Sequence, residues 1–356
     1  MNKKEQEVII IGAGLTGLSL AYYLQQRQQA FILLEARNRL GGRILTTRSE
    51  QDAPLELGAT WLGKKHTELV NLLAELKLDT FPQVTGGRAI YEAISTSPPQ
   101  VVQLPHNDEP SYRIAGGSDQ IIQALAAQVP ADKIVLDCEV KALDFSADEV
   151  KITTSQGDFV AQRIVSTLPP YLLLRHLRFT PALPDSFTQI AAQTHTWMGE
   201  SIKVGLRYAA PFWRENGAPG GTIFSNVGPV SEMYDHTSVT DDHFALKGFL
   251  NGAYYALSRA ERRDMVLQQL RKYYGDVVDD YEVYEEGVWR QEPYTFTPYA
   301  NHVLPHQHNG HPVFRNTFYD GKFIVAGSET ASLYPGYMDG AVRSAQRANN
   351  QLKAII

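Results

Sequence analysis

Gly12, Gly14 and Gly17 fall in the order G-x-G-x-x-G directly behind the β-branched run Val8-Ile9-Ile10-Ile11. Residues of this type at this spacing bind a pair of phosphates. Gly12 permits the tight turn, Gly14 lets a pyrophosphate reach the backbone, and Gly17 lets a helix pack closely on a strand. Leu15 and Thr16 open that helix, whose free N–H groups and partial positive charge face the phosphates. A second apolar run, Ala30 to Leu34, ends at Glu35, about twenty residues on. A carboxylate there accepts both hydroxyls of an adenosine ribose and repels a 2′-phosphate. NADP is thereby disfavoured, while FAD and NAD both remain.

The next residues, Glu35-Ala36-Arg37-Asn38-Arg39-Leu40-Gly41-Gly42-Arg43, set paired glycines and an arginine just after the ribose-binding acid. Two phosphate charges need more than backbone N–H groups, and a guanidinium fork suits them. This E-A-R-x-R-x-G-G-R segment resembles the flavin-containing monoamine oxidase family. The resemblance implies FAD, with Arg43 reaching the pyrophosphate, Arg37 near the adenosine, and Ala36 and Gly42 beside them. It also implies that the turn Gly58-Ala59-Thr60-Trp61 approaches the flavin ring. The likeness runs nearly end to end. Ser201-Ile202-Lys203-Val204 precedes Pro211-Phe212-Trp213-Arg214, and Trp289 is followed by Tyr294. Gly327-Ser328-Glu329-Thr330-Ala331 and Gly336-Tyr337-Met338-Asp339-Gly340-Ala341-Val342 complete it.

Carried over by that resemblance, Lys203 holds a water against flavin N5, and Tyr299 and Tyr337 flank the substrate amine. Paired aromatic faces suit an amine because they exclude water and attract a cation. Trp289, Tyr294 and Tyr334 would line the cavity further. Val140, Gly327, Ser328, Glu329, Gly336 and Met338 would touch the cofactor. Some members attach FAD through a cysteine just before the first cage tyrosine; Pro298 stands there and the single cysteine is Cys138, so non-covalent FAD is expected. Between Phe81 and Gly116 longer members insert a helical subdomain, so the cavity here is either more open or closed by another subunit. The implied reaction takes an amine to an imine, hydrolysed to an aldehyde or ketone, with O2 reduced to H2O2. Two alternatives stay open: dehydrogenation or desaturation of a C–C bond, and a non-catalytic FAD-binding protein.

These residues need elements to hold them. A strand-turn-helix covers Val8 to Leu24, and Leu55-Glu56-Leu57 reads as a strand entering a glycine turn. His66 to Leu76 and Asp119 to Gln128 have helical patterning. Ile90 to Pro110 lacks periodicity and reads as an irregular excursion. Lys133 to Ile164 alternates as a β-meander, and Ser201 to Phe249 contains short strands separated by Pro/Gly turns. Ser258 and Glu261 have capping-box spacing before a helix that ends at Gly275. Lys322 to Gly327 is a last buried strand, followed by a helix from Tyr337 to about Lys353.

The expected fold class is α/β. A Rossmann-like FAD-binding domain of the glutathione-reductase/amine-oxidase type (1–80, 114–192 and 292–356) carries a discontinuous mixed β-sheet substrate domain (81–113 and 193–291).

Composition bounds the rest. The 356 residues are 43% hydrophobic and 20% charged, which excludes a disordered chain. A net charge of −6 without a basic run argues against nucleic acid. Three glycines interrupt the N-terminal apolar stretch, so it is neither a signal peptide nor a membrane span. A soluble, cytoplasmic protein able to form a homo-oligomer is expected. His302, His306, His308 and His311 crowd one segment without a zinc-site spacing, so they read as a polar loop with no metal. Glu232, Asp235, Asp241 and Asp242 read as a solvated acidic loop.

Overall fold

A computed structural model of the chain describes residues 5–48 and 54–355. The charged start Met1–Lys4 and the terminal Ile356 lie outside the described residues. Glu5–Ile11 is a strand between two parallel neighbours, Phe31–Leu34 and Gly157–Ser166. Its β-branched run is buried on both faces: Val8 and Ile10 enter one core, Ile9 and Ile11 the other. On the first face pack the helices Leu15–Gln26, Thr67–Glu75, Asp119–Ala127 and Met338–Ile355. The second core is completed by the strands Val140–Asp144 and Val150–Thr154, which continue the same sheet, and by the helices Pro170–His176 and Asp185–Ala191.

Gly157–Ser166 is the hub of this sheet. Its first half pairs antiparallel with Val150–Thr154, and its last three residues pair parallel with Phe323–Val325. The meander therefore begins at Val140. The short strand Ile134–Val135, expected to belong to it, instead extends the far edge beside Phe31–Leu34.

In a second, seven-stranded sheet, Ile202–Tyr208 lies next to one edge strand, and every one of its residues is buried between Phe244–Leu250 and Val283–Val288. The helix Arg259–Tyr274 covers its outer side. Ser258 and Glu261 form the capping box that their spacing implies, and Gly275 ends the helix with φ +78°.

The segment 90–110 departs from the irregular excursion expected of it. Arg88–Glu92 and Gln100–Gln103 form a hairpin, and the first strand pairs parallel with Thr222–Ser225. Its signal was short, and pairing with a strand far along the chain supplied what local periodicity lacked. A close approach joins the two sheets. A Cβ at Gly205 would meet Leu55, and one at Gly287 would meet Leu57, so the run Leu55–Leu57 lies directly on the inner face of the second sheet.

Candidate active site

One cavity of about 380 Å³ runs between the two sheets. At its first end, Gly12 turns the chain with φ +98°, and a Cβ on Gly17 would lie 1.9 Å from the Gly12 carbonyl. The helix Leu15–Gln26 starts without a side-chain cap and has no acidic residue in its first turn. Its opening N–H groups thus face the cavity beside Gly14, Leu15 and Thr16. Gly42, with φ +57°, closes against Gly14, where a Cβ would come within 3.1 Å of the Gly14 Cα. Glu35 is buried at the end of its strand, where its carboxylate accepts from Ala13 N at 2.7 Å and Arg37 N at 3.0 Å. These features fit a dinucleotide: an uncapped helix start, a glycine cradle and a fixed carboxylate.

Further along, Arg43 is gripped by Glu329 through two bonds of 2.5 and 2.9 Å, and donates to Ser328 Oγ and the Trp197 carbonyl. Glu329 is fully buried. Burial alone would raise its pKa, but Arg43 outweighs burial and holds it below the ordinary carboxylate range. Arg37 donates to Thr295 Oγ1 at 2.8 Å and pairs with Glu292. Tyr294 lies 5.5 Å from its guanidinium. Ala36, Val140, Tyr294 and Met338 complete the walls with Trp289, whose indole N–H donates to the Leu57 carbonyl at 2.8 Å.

At the far end stands Lys203, only 5% exposed. Its ammonium donates to the Gly58 carbonyl at 2.5 Å and lies 5.1 Å from the Phe249 ring. Burial pushes its pKa down to about 8, partly opposed by the charge of Glu56. The turn Gly58–Trp61 and Gly336–Tyr337 close the same end.

Not every expected residue reaches the cavity. Gly17, Gly327 and Glu329 stand behind its wall. Tyr334 packs on His66 at 4.7 Å instead of lining it. Tyr299, expected opposite Tyr337, does not line the cavity. The Tyr299 hydroxyl accepts from Thr196 N, and its ring sits on Tyr171 at 4.7 Å and His195 at 6.2 Å. Trp197 stands beside Tyr337, at 6.0 Å and 37°. His306 stacks on the Trp197 ring at 3.7 Å, so one histidine of the expected polar loop belongs to the rim of the site. Among the described residues no group of His, Cys, Asp and Glu side chains is arranged to hold a metal ion.

The expected solvated acidic loop needs correction at Asp235, while Glu232, Asp241 and Asp242 are exposed. Asp235 is buried and accepts from Trp213 and Arg214; Asp241 also binds Arg214, and Asp242 caps its own turn. Of the four carboxylates only Glu232, exposed, is held by nothing stronger than the Tyr234 hydroxyl at 2.8 Å. Sequence reading also missed Trp197, Phe249 and the buried Lys247. The last had a signal, a lone lysine inside the apolar run Phe244-Ala245-Leu246-Lys247-Gly248-Phe249-Leu250.

The model of the family described as flavin containing amine oxidoreductase matches residues 15–107 and 95–353. The chain belongs to that family. Its members are FAD enzymes that oxidise amines, and the cavity's uncapped helix start and glycine cradle fit that cofactor. The chain is similar to a probable flavin-containing monoamine oxidase A of Dictyostelium discoideum, 24% identical over 98% of this chain and 97% of the relative. It is 24% identical to a putrescine oxidase of Kocuria rosea over 97% of this chain and 94% of that one. Both alignments exceed 356 positions, so each relative carries segments that this family member lacks. In fold, the chain matches wild-type putrescine oxidase solved with putrescine (TM-score 0.83, 23% identity, 98% and 99% covered). It matches cyclohexylamine oxidase from Brevibacterium oxydans IH-35A equally well (TM-score 0.83, 22% identity, the same coverage). Among the described residues no helix is long and apolar enough to cross a membrane.

Proposed function

We propose that this chain oxidises a primary or secondary amine to an imine beside Lys203 and Tyr337, with O2 taking the electrons as H2O2. In balance, the α-carbon loses a hydride and the nitrogen a proton, so that one C–H and one N–H bond break and the C–N bond becomes C=N. The two electrons and two protons convert O2 to H2O2, and water then turns the imine into a carbonyl compound and the free amine or ammonia. One observation carries the reading: a single cavity joins the glycine turn and Glu35 to Lys203 and Tyr337.

FAD supplies the hydride-accepting and O2-reducing chemistry when bound. Gly12, Gly14, the helix start at Leu15 and Glu35 would hold its adenosine and phosphates, with Arg37 and Arg43 at hand. The residues of this chain orient and desolvate. Tyr337 and Trp197 make an aromatic corner that favours an amine, and Trp61 and Phe249 line the same cavity. Trp197 takes the part that the family resemblance assigned to Tyr299. Lys203 holds a buried charge at the end where oxygen is reduced.

FAD would be held without a covalent bond. Cys138 belongs to the ribose end, where its N–H donates to the Glu35 carbonyl, and burial raises its thiol pKa.

Anaerobic mixing with a panel of amines tests the reading. Amines should bleach the flavin absorbance, and air should then restore it with H2O2. Trp197→Ala should slow bleaching at least about 10-fold, of the order seen when an orienting group is lost, while Tyr299→Phe should stay near wild type. Bleaching only by unsaturated or ring hydrocarbons points instead to C–C dehydrogenation. No bleaching by any compound points to a non-catalytic flavin carrier.

A further inference from the structure

A second lysine lies behind the flavin-facing turn, and the proposed reaction gives it no role. Lys247 is fully buried, on the strand next to that of Lys203. Lys203 pairs with Phe249, and Lys247 stands two residues before Phe249. The two lysines are therefore diagonal neighbours on one face of the sheet.

Their amines converge on one turn. Lys203 Nζ donates to the Gly58 carbonyl, and Lys247 Nζ donates to Thr60 Oγ1. The Thr60 hydroxyl in turn donates to the Gly58 carbonyl at 3.2 Å. An unbroken path thus runs from one amine through Thr60 Oγ1 and Gly58 O to the other. Lys247 also lies over the Trp61 ring at 4.3 Å, fixing a residue of the cavity wall.

The surroundings cannot support two ammonium ions. Among the described residues the facing charged and titratable groups are Glu56 from Pro54–Glu56, Arg113 from Tyr112–Ile114, His236 beyond Val230–Asp235, and the lysines themselves. Glu56 is the one carboxylate of that set. It already accepts from Ser118 N at 2.8 Å and lies 3.4 Å from His236 Nε2, and Arg113 is positive nearby. A second buried ammonium would have no counter-charge.

Resting on the reading of this cavity as an FAD site, we propose that Lys203 and Lys247 form one titrating unit. The two amines, joined through Thr60 and Gly58, carry a single proton charge at neutral pH and set the charge presented to the flavin edge. Lys247 is the neutral partner and a positioning residue. Burial and the Lys203 charge both drive its pKa well below that of a free lysine. When Lys203 is removed, the charge passes to Lys247.

The test uses FAD-loaded protein and the visible spectrum of the bound flavin between about pH 6 and 9, a range that brackets the depressed lysine and stays below the free one. Wild type, Lys247→Met and Lys247→Gln should show one spectral transition near pH 8, the value to which Lys203 is pushed. Lys203→Met should keep a transition, moved to lower pH, and the double variant Lys203→Met/Lys247→Met should lose it. A flat Lys203→Met spectrum, identical to the double variant, overturns the proposal. So does a wild type with no transition.

Wild-type protein carrying lysine labelled with carbon-13 at Cε addresses the same question by NMR without substitution. One buried lysine signal at the neutral-amine position at about pH 7 supports the unit, and two charged ones overturn it. A protein that binds FAD and is bleached by amines but fails these tests refutes this inference alone. A protein that binds no FAD refutes the functional reading, and this inference with it.

Discussion

Lys203 sits charged in the fold at a free-energy cost that depends on pH. Its pKa falls from 10.5 to about 8, so between these values the unfolded chain binds more protons than the folded one. Burial of the amine therefore destabilises the fold fully below about pH 8, and the penalty fades as pH rises toward that of a free lysine. Compared with Lys247→Met, the double variant Lys203→Met/Lys247→Met lacks the penalty, because no second buried amine is left to take up the charge. It should raise the melting temperature at about pH 7, by at most about 3 kcal/mol of stability, and the advantage should shrink by about pH 10. Thermal unfolding of both proteins at the two pH values checks this, and a difference that grows with pH would contradict it. The lysine itself was readable, since the segment Ser201–Val204 names it. Its burial was not, because nothing local says that the whole strand Ile202–Tyr208 lies between two others. The position of Tyr299 outside the cavity lining was unreadable for a similar reason. A tyrosine in a matching position can still turn its hydroxyl to Thr196 and its ring to Tyr171.

Among the elements, the strand-turn-helix ending at Gln26 was the most legible, because each glycine there answers a local steric demand. Gly17 is the sharpest case. Its missing Cβ would sit 1.9 Å from the Gly12 carbonyl, a backbone atom with no flexible side chain to move aside. Gly17→Ala should push the helix off its strand, costing about 1–3 kcal/mol, and should weaken FAD retention because the phosphate-facing N–H groups move with it. Gly63→Ala is the control: nothing lies within 4 Å of its Cβ position, and it should behave as wild type. Melting temperature and the ratio of flavin to protein absorbance after desalting measure both effects. Gly17→Ala with a wild-type flavin ratio would remove the close packing from the account of the site. The hairpin Arg88–Glu92 and Gln100–Gln103 was illegible by contrast. Two short strands joined by a loop are decided by a distant partner, Thr222–Ser225, and not by their own sequence.

For the molecule as a whole, the cavity is where the two sheets meet. Its walls come from Ile11 to Arg43 and from Gly336 to Ala341 on one side, and from Lys203 and Phe249 on the other, with Gly58–Trp61 between. Leu55 and Leu57 pack on the second sheet, Lys203 and Lys247 reach across to Gly58 and Thr60, and Glu56 faces His236; a ligand of dinucleotide length would add to these bridges. Binding only to the folded state, FAD stabilises the protein by about 2.7 kcal/mol when it is present at about a hundred times its dissociation constant. The loaded protein should therefore unfold in one cooperative transition. After removal of FAD the melting temperature should fall, and the second sheet with its helix Arg259–Tyr274 should gain mobility against the first. Hydrogen exchange compared with and without FAD localises the change. Loss of protection should concentrate at Gly58–Trp61 and at the inner strands Ile202–Tyr208 and Phe244–Leu250. The hub strand Gly157–Ser166, whose partners all lie in its own sheet, should keep its protection. Uniform loss across both sheets would mean that the ligand supports the entire fold and not the junction.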